Sequence, residues 1–414
     1  MKRNHYLVAL VFLIFFVISL LTNILGPIVP DLIDNFHLTL TAAALLPFSF
    51  FLAYGVMSIP TGMLVEAYRE KAVIVAAFLM AFLGSLAFAF SPRYGMAICS
   101  LFLIGVGMAA LQVAINPLLR VAGGEEHFAF NSATAQLIFG AASFLSPRVY
   151  SCLVSGMDRD TAAQSPLLRS LSQLVPAGMP WVSLYWIFAA VTFLMIVIIA
   201  ISRFPVVQRT TEEQAGTWES HRKLLSKPIV YLYFFSVFTY VGCEQGTSNW
   251  ISEFLSQYHR YDPHTAGADA VSWFWGLLTA GCLLGMLLLR IFDSRKVLIA
   301  FSCASLVCLT AALFGSAPVS RLAFPLIGLA ASVMWPIIIS LALNSVDELH
   351  GSFSGILCTA IVGGAVAPLI IGRLGDSFGL RIGMMFLYLT FGWVLSVGFW
   401  ARPIIKNKTI GVNA

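Results

Sequence analysis

Apolar residues run along this chain in long blocks, interrupted by short polar stretches. Twelve blocks come near bilayer length, at residues 6–33, 41–66, 72–91, 96–121, 131–155, 181–203, 229–256, 269–291, 296–315, 321–345, 351–372 and 380–403. A membrane-crossing helix needs ~20 mostly apolar residues, so the pattern predicts twelve spans. The Gly and Pro inside them are normal for membrane helices, which tolerate breaks in the backbone ladder. The first block is too long for a secretory signal and lacks a small-residue cleavage site, so it reads as a retained span.

Polar positions give the organisation. With both termini in the cytoplasm, the inside segments carry 16 of the 24 Lys and Arg residues, as the positive-inside rule requires. The longest charged inside segment, 204–228, separates two groups of six blocks. The expected division is therefore a six-helix domain over 1–203, a cytoplasmic linker over 204–228 and a second six-helix domain over 229–414. The outer segment 156–180 is also long and reads as a partly ordered loop.

The two groups repeat each other. Gly62-Met63-Leu64 returns at Gly285-Met286-Leu287, Leu103-Ile104-Gly105 at Leu326-Ile327-Gly328, and Gly140 at Gly363, each time 223 positions on. Asp31-Leu-Ile-Asp-Asn-Phe-His37 tracks Glu253-Phe-Leu-Ser-Gln-Tyr-His259 at a spacing of 222. One near-constant offset across several spans predicts parallel six-helix repeats with a site between them, a design used by transporters.

Composition narrows the class. Hydrophobic residues make up 59% of the chain and charged residues 10%, against about 25% charged in soluble domains. The net charge of +5 follows from the topology and does not point to nucleic acid. All seven cysteines fall in apolar blocks without metal-ligand or CxxC spacing, so they read as packing residues. No phosphate loop or paired nucleophile and base appears, which argues against a transport ATPase or an intramembrane enzyme. Transport would have to run on a gradient.

One stretch carries charge at membrane depth. Tyr240-Val-Gly-Cys-Glu244-Gln245-Gly-Thr-Ser248-Asn249-Trp250 lies inside the seventh block. A carboxylate there costs at least ~2.5–3.5 kcal/mol unless it faces a protein-lined cavity. Spacing of four places Glu244 under Ser248 and Gln245 under Asn249 on adjoining faces. On the fourth block Gln112 and Asn116 sit one turn apart, followed by Pro117. Paired amides suit the donors and acceptors of vicinal sugar hydroxyls, although interhelical hydrogen bonding is the plainer role for each. Asn23 precedes the breakers Gly26, Pro27 and Pro30, and Gln136 lies deep in the fifth block. Trp335 and Trp250 are candidate platforms for an apolar sugar face. Trp335 sits mid-span, where the repeat places Gln112.

The loops resemble a known family. Gly62-x-Leu64-x-Glu66, with Arg69 and Lys71 after it, is similar to the G-x-L-x-D-x-x-G-x-R/K signature of the major facilitator superfamily, with Glu66 for Asp and Arg69 for the second Gly. Glu66, Arg69 and Lys71 then read as a gate or loop clamp. A second such string, Gly372-x-Leu374-x-Asp376-x-x-Gly379-x-Arg381, follows the eleventh block. Leu111-Gln112-Val-Ala-Ile-Asn116-Pro117, Tyr240-Val-Gly-Cys-Glu244 and Gly363-Gly364-Ala-Val-Ala-Pro368 look like segments of the fucose–galactose–glucose symporter branch.

The resemblance implies an all-α bundle of two six-helix halves that imports a hexose or deoxyhexose with a cation. Proton symporters of that branch use an Asp in span one and a Glu in span four, where this chain has about Gly26 and Gln112. Glu244 is left as the coupling carboxylate, with Ser248 beside it, Na⁺ favoured over H⁺ and no other cofactor. Sugar ligands are expected from Asn23, Gln112, Asn116, Gln136, Gln245, Asn249 and Trp335. An exporter of amphipathic drugs or lipids and an uncoupled sugar uniporter are the alternatives. The expected setting is the inner membrane of a bacterium, as a monomer among lipid.

Overall fold

The computed structural model describes residues 4–124, 128–157, 165–204, 218–346 and 349–404, and these are helical with short connections. The side chains of Glu66 and Asn116 lie outside the described residues, as does most of the expected linker. The end of that linker holds a short helix, Trp218–Leu225, which its lack of apolar periodicity did not suggest.

Eleven helical stretches among the described residues are long and apolar enough to cross a membrane: His5–Phe36, Leu40–Val65, Ala67–Phe90, Tyr94–Ile115, Asn131–Met157, Pro180–Ile201, Pro263–Ile291, Ser294–Phe314, Ala317–Leu343, Ser352–Phe378 and Leu380–Trp400. The remaining crossing is the seventh, built from Pro228–Ser248 and Ile251–His259. Its polar Glu244-Gln245 end lowers its mean hydropathy below that of the others. The chain is an all-α membrane protein with twelve crossings.

Packing repeats from one half to the other. The first span packs on the fourth and fifth, and the seventh packs on the tenth and eleventh. Buried apolar side chains gather in two clusters, one drawn almost wholly from the first six spans and the other from the last six. The halves meet along two seams, second span on eleventh and fifth on eighth, and where the outer parts of the first and seventh spans touch.

Spans one and seven break at matching places. Helix His5–Thr22 ends at Asn23 and Leu25–Phe36 continues it, while Pro228–Ser248 ends at Asn249 and Ile251–His259 continues. The two breaks face each other. A Cβ on Gly26 would lie 2.4 Å from the Ser248 carbonyl oxygen, so only glycine permits this approach. Span ten also breaks, between Ala331 and Met334, just before Trp335.

The turn between spans two and three holds strain. Arg69 has φ 67° and ψ 158°, a region essentially restricted to glycine that costs about 1–3 kcal/mol for other residues. The matching residue of the string after span eleven, Gly379, has nearly the same backbone, φ 90° and ψ 149°. The departure from the family signature therefore sits at the position where the fold asks for glycine. Arg69→Gly is expected to stabilise the protein by roughly 1 kcal/mol. A melting temperature in detergent unchanged or lowered would contradict this.

Candidate functional site

The site is built around the break in span seven. The Tyr240 hydroxyl donates to Glu244 Oε2 at 2.8 Å, and Gln245 Nε2 donates to Glu244 Oε1 at 3.1 Å. The first is an i, i+4 pair on one helix face. Both carboxylate oxygens thus accept from groups on their own helix. Tyr240 and Gln245 are buried, while Glu244 is half-buried. The Tyr240 ring lies 5.9 Å from the half-buried Trp335 ring, which links the bent tenth span to the carboxylate. The stem of Gln245 runs across Gly364, where a Cβ would lie 3.0 Å from its Cγ. Gly364 leaves room for that stem, while its neighbour Gly363 lets span eleven approach the Phe238 backbone of span seven.

The other expected residues fall elsewhere. Ser248 and Asn249 are buried at the break, and neither is bonded to Glu244. Asn249 Nδ2 has no hydrogen-bond partner among the described residues. Gln112 is half-buried on span four. Asn23 is buried and gives its Nδ2 to Ser143 Oγ at 2.8 Å, so here it ties span one to span five. Gln136 is exposed, one turn before Gly140, whose backbone packs against Thr279 of span eight. Trp250 is buried among apolar side chains, nearly all of the second half, and offers no open face in this structure.

The expected gate residues also separate. Lys71 Nζ donates to the Ala200 and Ser202 carbonyls, each at 2.8 Å. It caps the C-terminal end of span six, where carbonyls lack intrahelical partners and a cation is favoured. That is a clamp within the first half. Arg69 carries the strained turn, and its side chain is exposed.

Sequence reasoning missed the groups that close one end of the bundle. At the end opposite the described chain termini, Asp376 of span eleven accepts from the Leu40 N–H at 2.7 Å, the Thr41 N–H at 2.9 Å and the Thr41 hydroxyl, at the start of span two. Arg148 of span five pairs with Asp269 of span eight at 3.3 Å. Asp31 of span one accepts from Tyr150 and meets His264, in the turn before span eight, at 2.7 Å. The contacts of Asp376 with Leu40 and Thr41, of Arg148 with Asp269 and of Asp31 with His264 join the two halves at that end. The string around Asp376 was visible in the sequence, but nothing local pairs it with Leu40, 336 positions away.

Comparison with known proteins places this architecture. Residues 11–361 match the sequence model of the Major Facilitator Superfamily. The chain belongs to that superfamily. It is 31% identical over 412 residues to a protein named glucose/galactose transporter of Brucella abortus biovar 1 (strain 9-941), covering 93% of this chain and 92% of the relative. It is 26% identical to the L-fucose-proton symporter of Escherichia coli (strain K12), covering 90% and 87%. Among solved structures, the E. coli fucose:proton symporter superposes with a TM-score of 0.69 at 20% identity, over 97% of this chain and all of the other. This superfamily member is a multi-pass membrane transporter of the fucose, galactose and glucose branch, and not an enzyme. Superfamily transporters expose a central site to one side and then the other, and here the end opposite the described termini carries contacts that join the two halves.

Proposed function

We propose that this transporter imports a hexose or deoxyhexose by alternating access, coupled to a cation through Glu244. The observation that carries the reading is the Glu244 carboxylate at mid-span, held between Tyr240 and Gln245, with the Trp335 ring against Tyr240. A carboxylate with an amide and a phenol on it, and an indole beside the phenol, offers the hydrogen bonds and the flat apolar face that a sugar ring needs. The printed names of the relatives, a glucose/galactose transporter and an L-fucose-proton symporter, support the same substrate class.

The termini are read as cytoplasmic, in the inner membrane of a bacterium. The sealed end then faces outward, and the structure is an inward-facing state of two six-helix domains, 1–203 and 229–414. Gln112, Asn116 and Gln136 would join the ligand from the first domain, and Asn249 would offer its unpartnered amide.

Charge and ligand chemistry move the choice of cation toward H⁺. A Na⁺ site needs several oxygen ligands turned toward the ion. Here both Glu244 oxygens face donors, and Ser248 and Asn249 stand apart. A carboxyl group whose two oxygens meet a phenol and an amide has partners for its ionised form, as a group that binds and releases a proton needs.

Radiolabelled hexose uptake into proteoliposomes, with Na⁺ and proton gradients imposed separately, tests this. A proton gradient is expected to drive accumulation. Accumulation on a Na⁺ gradient alone would return Glu244 to a Na⁺ role, and none with any hexose would remove the sugar assignment. Gln245→Ala should weaken sugar affinity about tenfold, the loss of roughly 1–2 kcal/mol of hydrogen bonding, at unchanged folded yield. Wild-type affinity in that variant would take Gln245 out of the site.

A further inference from the structure

The outer seal contains an ionisable cluster that spans both halves. Asp31 lies on the outer helix of span one, Leu25–Phe36, with its side chain 13% exposed. His264 lies in the turn Pro263–Gly267 that leads into span eight. The imidazole Nε2 meets Asp31 Oδ1 at 2.7 Å, and its Nδ1 lies 3.8 Å from Asp262 Oδ1. The Tyr150 hydroxyl donates to the other Asp31 oxygen, and its ring stands edge-on to the imidazole, 6.0 Å between centroids. Asp31 and Tyr150 belong to the first half, His264 and Asp262 to the second. The pairing of Asp31 with His264 therefore exists only while the halves are closed at this end.

Charged groups of both signs surround the turn. Span one brings Asp31 and Asp34, and the outer part of span seven brings Glu253, His259 and, at its end, Arg260. Asp34 and Glu253 lie near enough to repel, and Glu253 accepts from Gln257 at 2.5 Å. Span five brings Arg148 together with Tyr150, and span eight brings Asp269. Arg148 is engaged by Asp269, which also takes Arg321 at 3.5 Å.

We infer that His264 is an external proton-binding site whose occupancy holds the outer end shut. A neutral imidazole has one N–H to offer, so with a proton toward Asp31 its other nitrogen turns a lone pair to Asp262. The imidazolium has two N–H groups and a positive charge between two carboxylates. When the halves part at this end, Asp31 leaves and that interaction is lost. A ligand that binds one conformation better shifts the equilibrium toward it, and here the ligand is the proton. The sign follows: the bias toward the sealed state is full at acid external pH, where the imidazole carries its second proton, and fades as that proton is lost with rising pH. This control is separate from coupling at Glu244, since it needs only the two halves to rock and the site to face outward. Acid outside then slows the return of the empty carrier to its outward-open state.

The test uses the full chain with its native cysteines replaced and spin labels at Ser91→Cys and Ser316→Cys, at the outer ends of spans three and ten, in lipid nanodiscs. Label distances report the sealed and open populations. Between about pH 8 and pH 5.5 the sealed-to-open ratio is expected to rise about tenfold, which is roughly 1.4 kcal/mol. In His264→Gln and in Asp31→Asn the ratio should hardly change with pH. Gln keeps a donor toward Asp31 without a titrating charge, so the closed contact itself can persist. A wild type whose ratio is flat with pH, or either variant responding as strongly as the wild type, would overturn the inference.

Discussion

Glu244→Gln is expected to abolish sugar accumulation against a gradient while leaving exchange and equilibration of sugar. The carboxylate is half-buried at mid-membrane, where keeping a charge is costly. Gln is close in size, keeps an acceptor for Tyr240 or Gln245, and removes the group that can bind and release a proton. Packing around Trp335 and Gly364 should survive, so binding should change little. The expected effect is a fall of the accumulation ratio to about one, with counterflow near wild type. The measurement is labelled sugar uptake in proteoliposomes under an imposed proton gradient, beside counterflow without one. A variant that accumulates sugar like the wild type makes Glu244 a structural bridge within span seven and puts the coupling elsewhere.

Asp376→Ala should shift the resting population toward the state open at the sealed end. Span two begins at Leu40, and its first N–H groups have no acceptor within the helix. Asp376 supplies that acceptor from the other half, with its charge against the positive end of the helix dipole. Such charge-assisted bonds reach about 1.5–3 kcal/mol each where water is excluded. Asp376 is exposed, so the total is nearer 1–2 kcal/mol, or roughly a 5- to 30-fold change in the ratio of closed to open. Asp376→Asn should do less, since its amide oxygen can still accept. The distance between labels on the two halves reads the shift directly. An unchanged distribution in the Ala variant would mean that the Arg148–Asp269 and Asp31–His264 contacts hold this end without it.

Much of the molecule was legible before any coordinates. Span lengths depend on local apolarity, which each block carries by itself, and the twelve blocks correspond to crossings within a few residues. The 223-residue offsets foreshadowed a real equivalence: the first and seventh spans pack in matching ways, and Gly105 and Gly328, 223 positions apart, pack in turn against the backbone of Phe50 and Phe274. Glu244 stood out because a carboxylate in an apolar run is physically expensive wherever the helix goes. The departure of Arg69 from the signature was also visible, but only the backbone showed that it occupies a glycine conformation.

The tertiary structure decided what joins to what. Periodicity put Ser248 and Asn249 near Glu244, yet the helix ends at the break, and Tyr240 and Gln245 take the carboxylate instead. Gly26 stands about where the branch keeps an Asp, and the Ser248 carbonyl against it leaves no room for a side chain in this state. Asn23 looked like a ligand and is tied to Ser143 on the fifth span. His264 and Asp31 are 233 positions apart, and nothing local in the sequence signals that they meet where the two halves close. A sequence records which groups each helix carries. Which end of the bundle is shut depends on contacts between helices far apart in the chain, and those exist in one conformation and not in the other.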